Sequence, residues 1–393
     1  MPPSTEPLLA RLLAALELEL PRALELRHRL HASPELAHQE HATAAAIAAE
    51  LPVAAETVAG TGRIARIGGR PEERPVAVRA ELDGLPLRER TGSPFSAAGE
   101  TMHACGHDVH MAALVALARA AHALGEELPA PLLAVFQPSE EAYPSGAQEL
   151  TEGELARIGP AAVVAAHVHP ELGWGTVALD PGTVNASCDA VEILVEGEPT
   201  HGAYPHLGHD PILALCQIVV ALHAELGRRI DPLAPASLTV GVVAGGTAEN
   251  LVPGHARARA ALRAHRPEER TALRTMVAEV ARGVASAHGC RASVELTPGE
   301  PALANDPALV ARARALLGSA GLQSAREWRS CGSDDFAFFG SLAPLAMAFV
   351  GLDGAEGFEP RPLHHPELLV PDCAVGAVAR AQAILYLAAA GYD

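Results

Sequence analysis

Short, nearly unbroken apolar runs alternate with stretches of helical periodicity along most of the chain. Pro75–Leu82, Pro131–Gln137, Ala161–His167 and Leu345–Gly351 are apolar at almost every position. That is the pattern of a strand buried on both faces, since a half-buried strand would alternate. Helical stretches such as Val109–Leu124 lie between them, and residues 5–31 space their leucines along one face. The succession predicts an α/β fold: a mainly parallel central sheet flanked by helices.

From about Asn185 to Leu296 the pattern changes. Cys188–Glu196 alternates as a half-buried strand does, Leu207–Leu226 reads as a helix, and Ser237–Val243 and Ala256–Arg263 read as strands. Pro267–His288 is helical, with Leu273, Val277, Val280 and Val284 on one face, and Ala292–Leu296 closes the series as a strand. The order β-α-β-β-α-β predicts a ferredoxin-like domain over 185–296, inserted into a first domain made of 1–184 and 297–393.

Composition narrows the function. A length of 393 residues suits two domains, at roughly 100–200 residues each. The net charge of −18 argues against a nucleic-acid partner and against an anionic membrane surface. No apolar run reaches the roughly 18–20 residues of a membrane span, and Glu6, Glu17 and Glu19 interrupt any secretory signal. A cytoplasmic location is therefore expected. The chain contains no lysine, which excludes Schiff-base, pyridoxal-phosphate and P-loop chemistry. Its six cysteines have no CxxC pair, and a disulfide framework is not expected.

The residues capable of chemistry gather in five places. Met102-His103-Ala104-Cys105-Gly106-His107-Asp108-Val109-His110 packs three histidines, a cysteine and an aspartate just ahead of a helix. Glu140 and Glu141 follow the run ending at Gln137. His167 and His169 lie at the end of another run, His364 and His365 beyond the last, and Glu81 and Asp83 at the end of the first. Any one of these has an ordinary explanation as a helix cap, a solvated pair or a structural histidine. All five, however, fall at or beyond the C-terminal end of a predicted strand or at a helix start near one, and open α/β sheets bind their ligands outside the carboxyl ends of their strands. Thiolate, imidazole and carboxylate delivered to one rim predict a metal site, with more ligands than one tetrahedral ion uses.

These motifs, in this order and over nearly the whole chain, resemble the cocatalytic metallohydrolases that include aminoacylase, succinyl-diaminopimelate desuccinylase and carboxypeptidase G. Among these the chain is most similar to the hippurate and indole-acetyl-amino-acid hydrolases. The resemblance rests on Leu30–Leu36, Arg79–Asp83, Met102–His110, Phe136–Glu141, His201–His206, Gly245–Asn250, Gly332–Phe336 and Leu363–Pro366. It implies an amidohydrolase that cleaves N-acyl amino acids with two divalent ions, Zn²⁺ or Mn²⁺ before Co²⁺ or Ni²⁺. The implied ligands are Cys105, His107, Glu141, His167 and His364, with Cys105 as the bridge. Glu140 matches the general base that deprotonates the metal-bound water and then protonates the leaving amine, and Asp83 matches a carboxylate supporting the ligands. The inserted domain corresponds to a lid that also forms a homodimer contact, with His201 as an oxyanion donor and Asn250 and Arg263 as substrate contacts.

The chain departs from the family pattern at Glu81, where Asp is frequent, at Asp334, where Glu is usual, and at Glu198-Pro199-Thr200, where glycine is preferred before His201. Three rival readings stand beside it, the first of them close. A dipeptidase or carboxypeptidase would use the same ions. A cysteine hydrolase would use Cys105 as nucleophile but leaves Glu140, Glu141, His167 and His364 without a task. A structural metal site has no use for a base such as Glu140.

Overall fold

The computed structural model describes residues 5–390. The chain divides into two compact units: Met1–Gly182 with Ala304–Trp328 and Phe338–Asp393, and Thr183–Leu303 with Arg329–Ala337.

The first unit is built on an eight-stranded sheet. Its order is Glu56–Val58, Gly62–Ile67, Leu132–Gln137, Val76–Glu81, Ala162–Gly173, Leu345–Asp353, Thr176–Ala178 and Gln323–Ser324. The four central strands run parallel, with Val76 facing Leu132 on one side and Ala162 on the other, and Leu345 facing Val163. Gly62–Ile67 and Thr176–Ala178 flank this core antiparallel. Val76–Glu81 and Leu132–Gln137 are buried along their whole length, which explains their unbroken apolar sequence. The helices Thr5–Ala32, His107–Leu124 and Cys373–Ala389 pack on one another, and the last two pack on the sheet. The first buries Leu9, Leu12, Leu16, Leu26 and Leu30, the stripe foreseen from the leucine spacing.

Several boundaries differ from expectation. The helix read over Leu207–Leu226 begins only at Pro211, behind its cap Asp210, and runs to Arg229. The third central strand does not stop at His167 but continues to Gly173, because its neighbour runs on to Asp353 and pairs Gly351 with His169 and Asp353 with Gly173 across a bulge. The helix expected from Val109 starts at His107, so His107 and His110 share its first turns.

The second unit carries a four-stranded antiparallel sheet in the order Ala236–Gly245, His255–Ala264, Ser187–Glu196, Arg291–Pro298. The helices Pro211–Arg229 and Pro267–Ala287 pack against it around Ile193, Ile218, Leu222, Leu273 and Val277. Asp210 caps the first helix by accepting from the N–H groups of Ile212 and Leu213. Asp189, gripped by Arg270 and Arg274, ties the second helix to the sheet.

Candidate metal centre

The site lies in the first unit, where parallel strands end and the helix His107–Leu124 begins. Gly106 makes the turn possible. Its φ of 83° is open to glycine, and a Cβ there would stand 2.6 Å from Val168 Cγ2. The tight turn sets Cys105 and His107, both buried, on its two sides, each within reach of Glu141.

Hydrogen bonds fix which ring nitrogens can bind an ion. His107 Nδ1 lies 2.8 Å from the carbonyl of Asp83 and His167 Nδ1 lies 2.7 Å from that of Val168. A carbonyl only accepts, so each Nδ1 carries the proton and each Nε2 keeps a lone pair. His107 Nε2 is buried without a hydrogen-bond partner. His167 Nε2 is 3.4 Å from Cys105 Sγ.

Glu140 and Glu141 sit just past the strand Leu132–Gln137. The N–H of Glu141 donates to Asp83 Oδ2 at 2.9 Å, which joins the ends of two neighbouring strands. His364 is reached from a separate loop. It adopts a left-handed φ of 64°, uncommon outside glycine, and its N–H donates to the Ala104 carbonyl at 2.9 Å, beside Cys105. Its Nε2 stands 3.2 Å from Glu141 Oε1, yet that oxygen has no partner at hydrogen-bonding geometry. A cation held by both atoms would account for that.

The donor atoms of Cys105, Glu141 and His364 lie within 4.8 Å of one another, and so do those of His107, Glu140 and Glu141. Glu141 is common to both groups, whereas Cys105 belongs to one. Charge acts on the two histidines in opposite senses. Burial disfavours a proton on His107, but the carboxylates of Glu81, Asp83 and Glu141 outweigh it and raise its pKa. Burial, with His110 adding to it, pushes His167 well below its usual range, so its imidazole is neutral as a ligand must be. Burial raises Asp83 despite the opposing pull of His107. Thiol, imidazole and carboxylate donors with orphaned buried lone pairs fit divalent ions of the zinc class.

Two residues singled out only as sequence features acquire a task here. His110 Nε2 accepts from the Val168 N–H at 3.1 Å, so its Nδ1 carries the proton and donates to Glu81 Oε2 at 2.9 Å. Both nitrogens of His110 are thereby used, although Glu81, His107, His110 and His167 cluster closely. Burial would raise Glu81, but Arg79 and His110 hold it well below the usual carboxylate range. The signal in sequence was Glu81 standing where the family pattern favours Asp, since the longer side chain reaches both partners.

The remaining candidates lie on the second unit. His201 and Asn250 are adjacent: Leu251 pairs with His201, and the Gly202 N–H donates to the Asn250 carbonyl at 2.7 Å. His201 Nδ1 accepts from the Ala203 N–H at 3.0 Å, which leaves the proton on an exposed Nε2. Arg263 is not with them. It sits at the far end of the strand His255–Ala264 and donates to the Cys331 carbonyl at 2.9 Å.

Residues 77–386 match Peptidase family M20/M25/M40. An N-acetyl-L-cysteine deacetylase of Bacillus subtilis is 33% identical over 368 residues, spanning 92% of this chain and 86% of the relative. An N-acetyldiaminopimelate deacetylase of Bacillus pumilus is 33% identical over 361 residues, 90% of this chain and 94% of the relative. Among solved structures, the Bacillus subtilis YxeP protein, a dinuclear metal binding peptidase from the M20 family, superposes with a TM-score of 0.83 at 29% identity, covering 94% of this chain and 98% of that one.

Proposed function

The chain belongs to peptidase family M20/M25/M40, and from that premise we propose that it hydrolyses the amide bond of small N-acyl amino acids, giving a carboxylic acid and the free amino acid. The observation that carries the reading is the convergence of Cys105, His107, Glu140, Glu141 and His364 around the orphaned atoms His107 Nε2 and Glu141 Oε1. Relatives named as deacetylases of N-acetylated amino acids support the substrate class.

In this reading Cys105, His107, Glu141, His167 and His364 hold two divalent ions. Zn²⁺ or Mn²⁺ suits the donor set, and Co²⁺ or Ni²⁺ can substitute. Such ions would lower the pKa of water toward neutrality and polarise the scissile carbonyl. Glu140 takes the proton from the attacking water and returns it to the departing amine. Asp83 holds Glu141 by its backbone and His107 by orientation. His201, whose exposed Nε2–H is a donor, stabilises the developing oxyanion. Asn250 beside it contacts the substrate, and Arg263 is assigned the same task on the resemblance alone.

The domain 185–296 is proposed as a lid and dimerisation module on a catalytic domain of 1–184 and 297–393. The helix Pro211–Arg229 is long and apolar enough to cross a membrane by length and composition. Its buried face packs in its own unit, and it leaves Leu213 and Val220 exposed. The edge strand Ala236–Gly245 likewise exposes Val242 and Val243. A homodimer would cover both. A cytoplasmic location follows from the same reading of a small-molecule enzyme.

The test is release of free amine from a panel of acetyl, benzoyl and indole-acetyl amino acids, with N-acetylcysteine and N-acetyldiaminopimelate included. Turnover on one acyl class is expected. No turnover on the panel, combined with cleavage of unblocked dipeptides, would replace the reading with a peptidase.

A further inference from the structure

Glu140 projects from a turn whose backbone is held with unusual care. Ser139, just before it, is fully buried and adopts a left-handed φ of 52°. His38, in a distant part of the chain, is left-handed too, at 65°. Such conformations persist in non-glycine residues only where the surroundings over-determine them. The surroundings here are each other. The His38 N–H donates to Ser139 Oγ at 2.9 Å, and Ser139 Oγ lies 3.0 Å from His38 Nδ1.

A buried carboxylate completes the lock. The Ser139 N–H donates to Glu40 Oε1 at 2.8 Å, and the other oxygen of Glu40 accepts from Thr61 Oγ1 at 2.7 Å. Glu40 is wholly buried. On the opposite side of Glu140, the Glu141 N–H donates to Asp83 Oδ2. The Pro138–Ser139 amide, one residue before Glu140, and the Glu140–Glu141 amide just after its α-carbon are therefore each tied to a carboxylate from elsewhere in the chain. The segment bearing Glu40 also docks beside Asp83: the Gly84 N–H donates to the Glu35 carbonyl at 2.8 Å, and Leu36 bridges to Gly84. The Glu35 side chain then fixes the start of the next helix by accepting from Ala42 and Thr43.

We propose that Glu40, acting through Ser139, is a positioning residue that aims the carboxylate of Glu140. This rests on the reading of Glu140 as the proton carrier. A charged acceptor makes the stronger hydrogen bond to an amide, and it holds Ser139 in a conformation its backbone would otherwise leave. Rotation at Ser139 swings the next side chain, and a displacement of about 1 Å in a reacting group costs roughly 10²-fold in rate. Glu35 and Leu36, the end of the Leu30–Leu36 motif, belong to the same brace.

The experiment compares Glu40→Ala, Glu40→Gln, Glu40→Asp, Ser139→Gly and Glu140→Gln in the metal-loaded full chain, recording kcat, KM and bound metal. Glu40→Ala is expected to lose about 10²-fold in kcat with KM and metal content unchanged. Glu40→Gln, which keeps an oxygen for Ser139 and an amide for Thr61, is expected to recover most of that loss. Ser139→Gly tolerates the left-handed φ and so keeps the fold; loss of its hydroxyl lock is expected to lower kcat less than Glu40→Ala does. If Glu40→Ala fails to fold, Glu40→Asp, which shortens the reach to the Ser139 N–H, decides. A kcat unchanged in Glu40→Ala, or in Glu40→Asp where the former does not fold, overturns the positioning role, as does a loss that appears in KM or in metal content. Retained activity in Glu140→Gln would instead overturn the assignment of the base, so the two failures are distinguishable.

Discussion

At the scale of single residues, Glu140 and Cys105 separate proton transfer from ion binding. Glu140→Ala is expected to keep fold and bound metal but lose about 10²–10⁴-fold in kcat, the usual contribution of a general base. Metal analysis beside steady-state kinetics checks this, and near-normal kcat would remove Glu140 from its role. Cys105→Ser replaces a thiolate donor by a poor one and should lower metal content at limiting ion concentration; unchanged content would remove Cys105 from the ligand set. The identities of these residues were legible in the sequence because thiol, imidazole and carboxylate are rare together at strand ends. Their tautomers were not. The proton positions on His107, His110 and His167 depend on the Asp83 carbonyl, the Val168 N–H and the Val168 carbonyl, contacts that exist only after folding. Glu40 was illegible for the same reason, since its partners are 99 and 21 residues away.

At the scale of elements, a buried charge network joins the first helix to the start of the helix that carries His107. His31 Nδ1 lies 3.0 Å from Asp108 Oδ2 and its Nε2 lies 3.1 Å from Glu89 Oε1, while Arg27 Nε donates to the same Asp108 oxygen at 2.9 Å. Burial works against a charge on His31, but Asp108 and then Glu89 outweigh it, and the pKa is raised from 6.5 to about 9. A raised folded-state pKa gives stability that is complete below the unfolded value and lost as pH climbs through the folded one. Unfolding free energy should therefore fall by roughly 3 kcal/mol as pH rises from about 6.5 past 9. Denaturant melts across that range measure the slope, and His31→Gln should flatten it; an equal slope in the variant would assign it elsewhere. Gly106→Ala tests the helix start. Its methyl would press on Val168 in a left-handed conformation, so stability should drop by roughly 1–3 kcal/mol, and metal content with it. Wild-type melting and metal content in Gly106→Ala would contradict the role given to that turn. The four central strands were readable because burial on both faces leaves a continuous apolar signature. The extension past His167 to Gly173 was not, because partner length rather than local composition sets it.

At the scale of the molecule, exposed apolar side chains on the second unit predict association. Val220→Asp with Val242→Asp should convert a dimer to a monomer in sedimentation, and a wild-type monomer would remove dimerisation from the account. The central claim is that two divalent ions held by Cys105, His107, Glu141, His167 and His364, with Glu140 carrying the proton, make this chain a hydrolase of N-acyl amino acids. Its most direct test is titration of chelator-stripped protein with Zn²⁺ or Mn²⁺, following turnover of an N-acyl amino acid and bound metal together. The account predicts no turnover in the stripped protein and activity that saturates at two ions per chain. Full activity in protein shown to be metal-free, or saturation without any ion bound to the wild-type cluster, would contradict it.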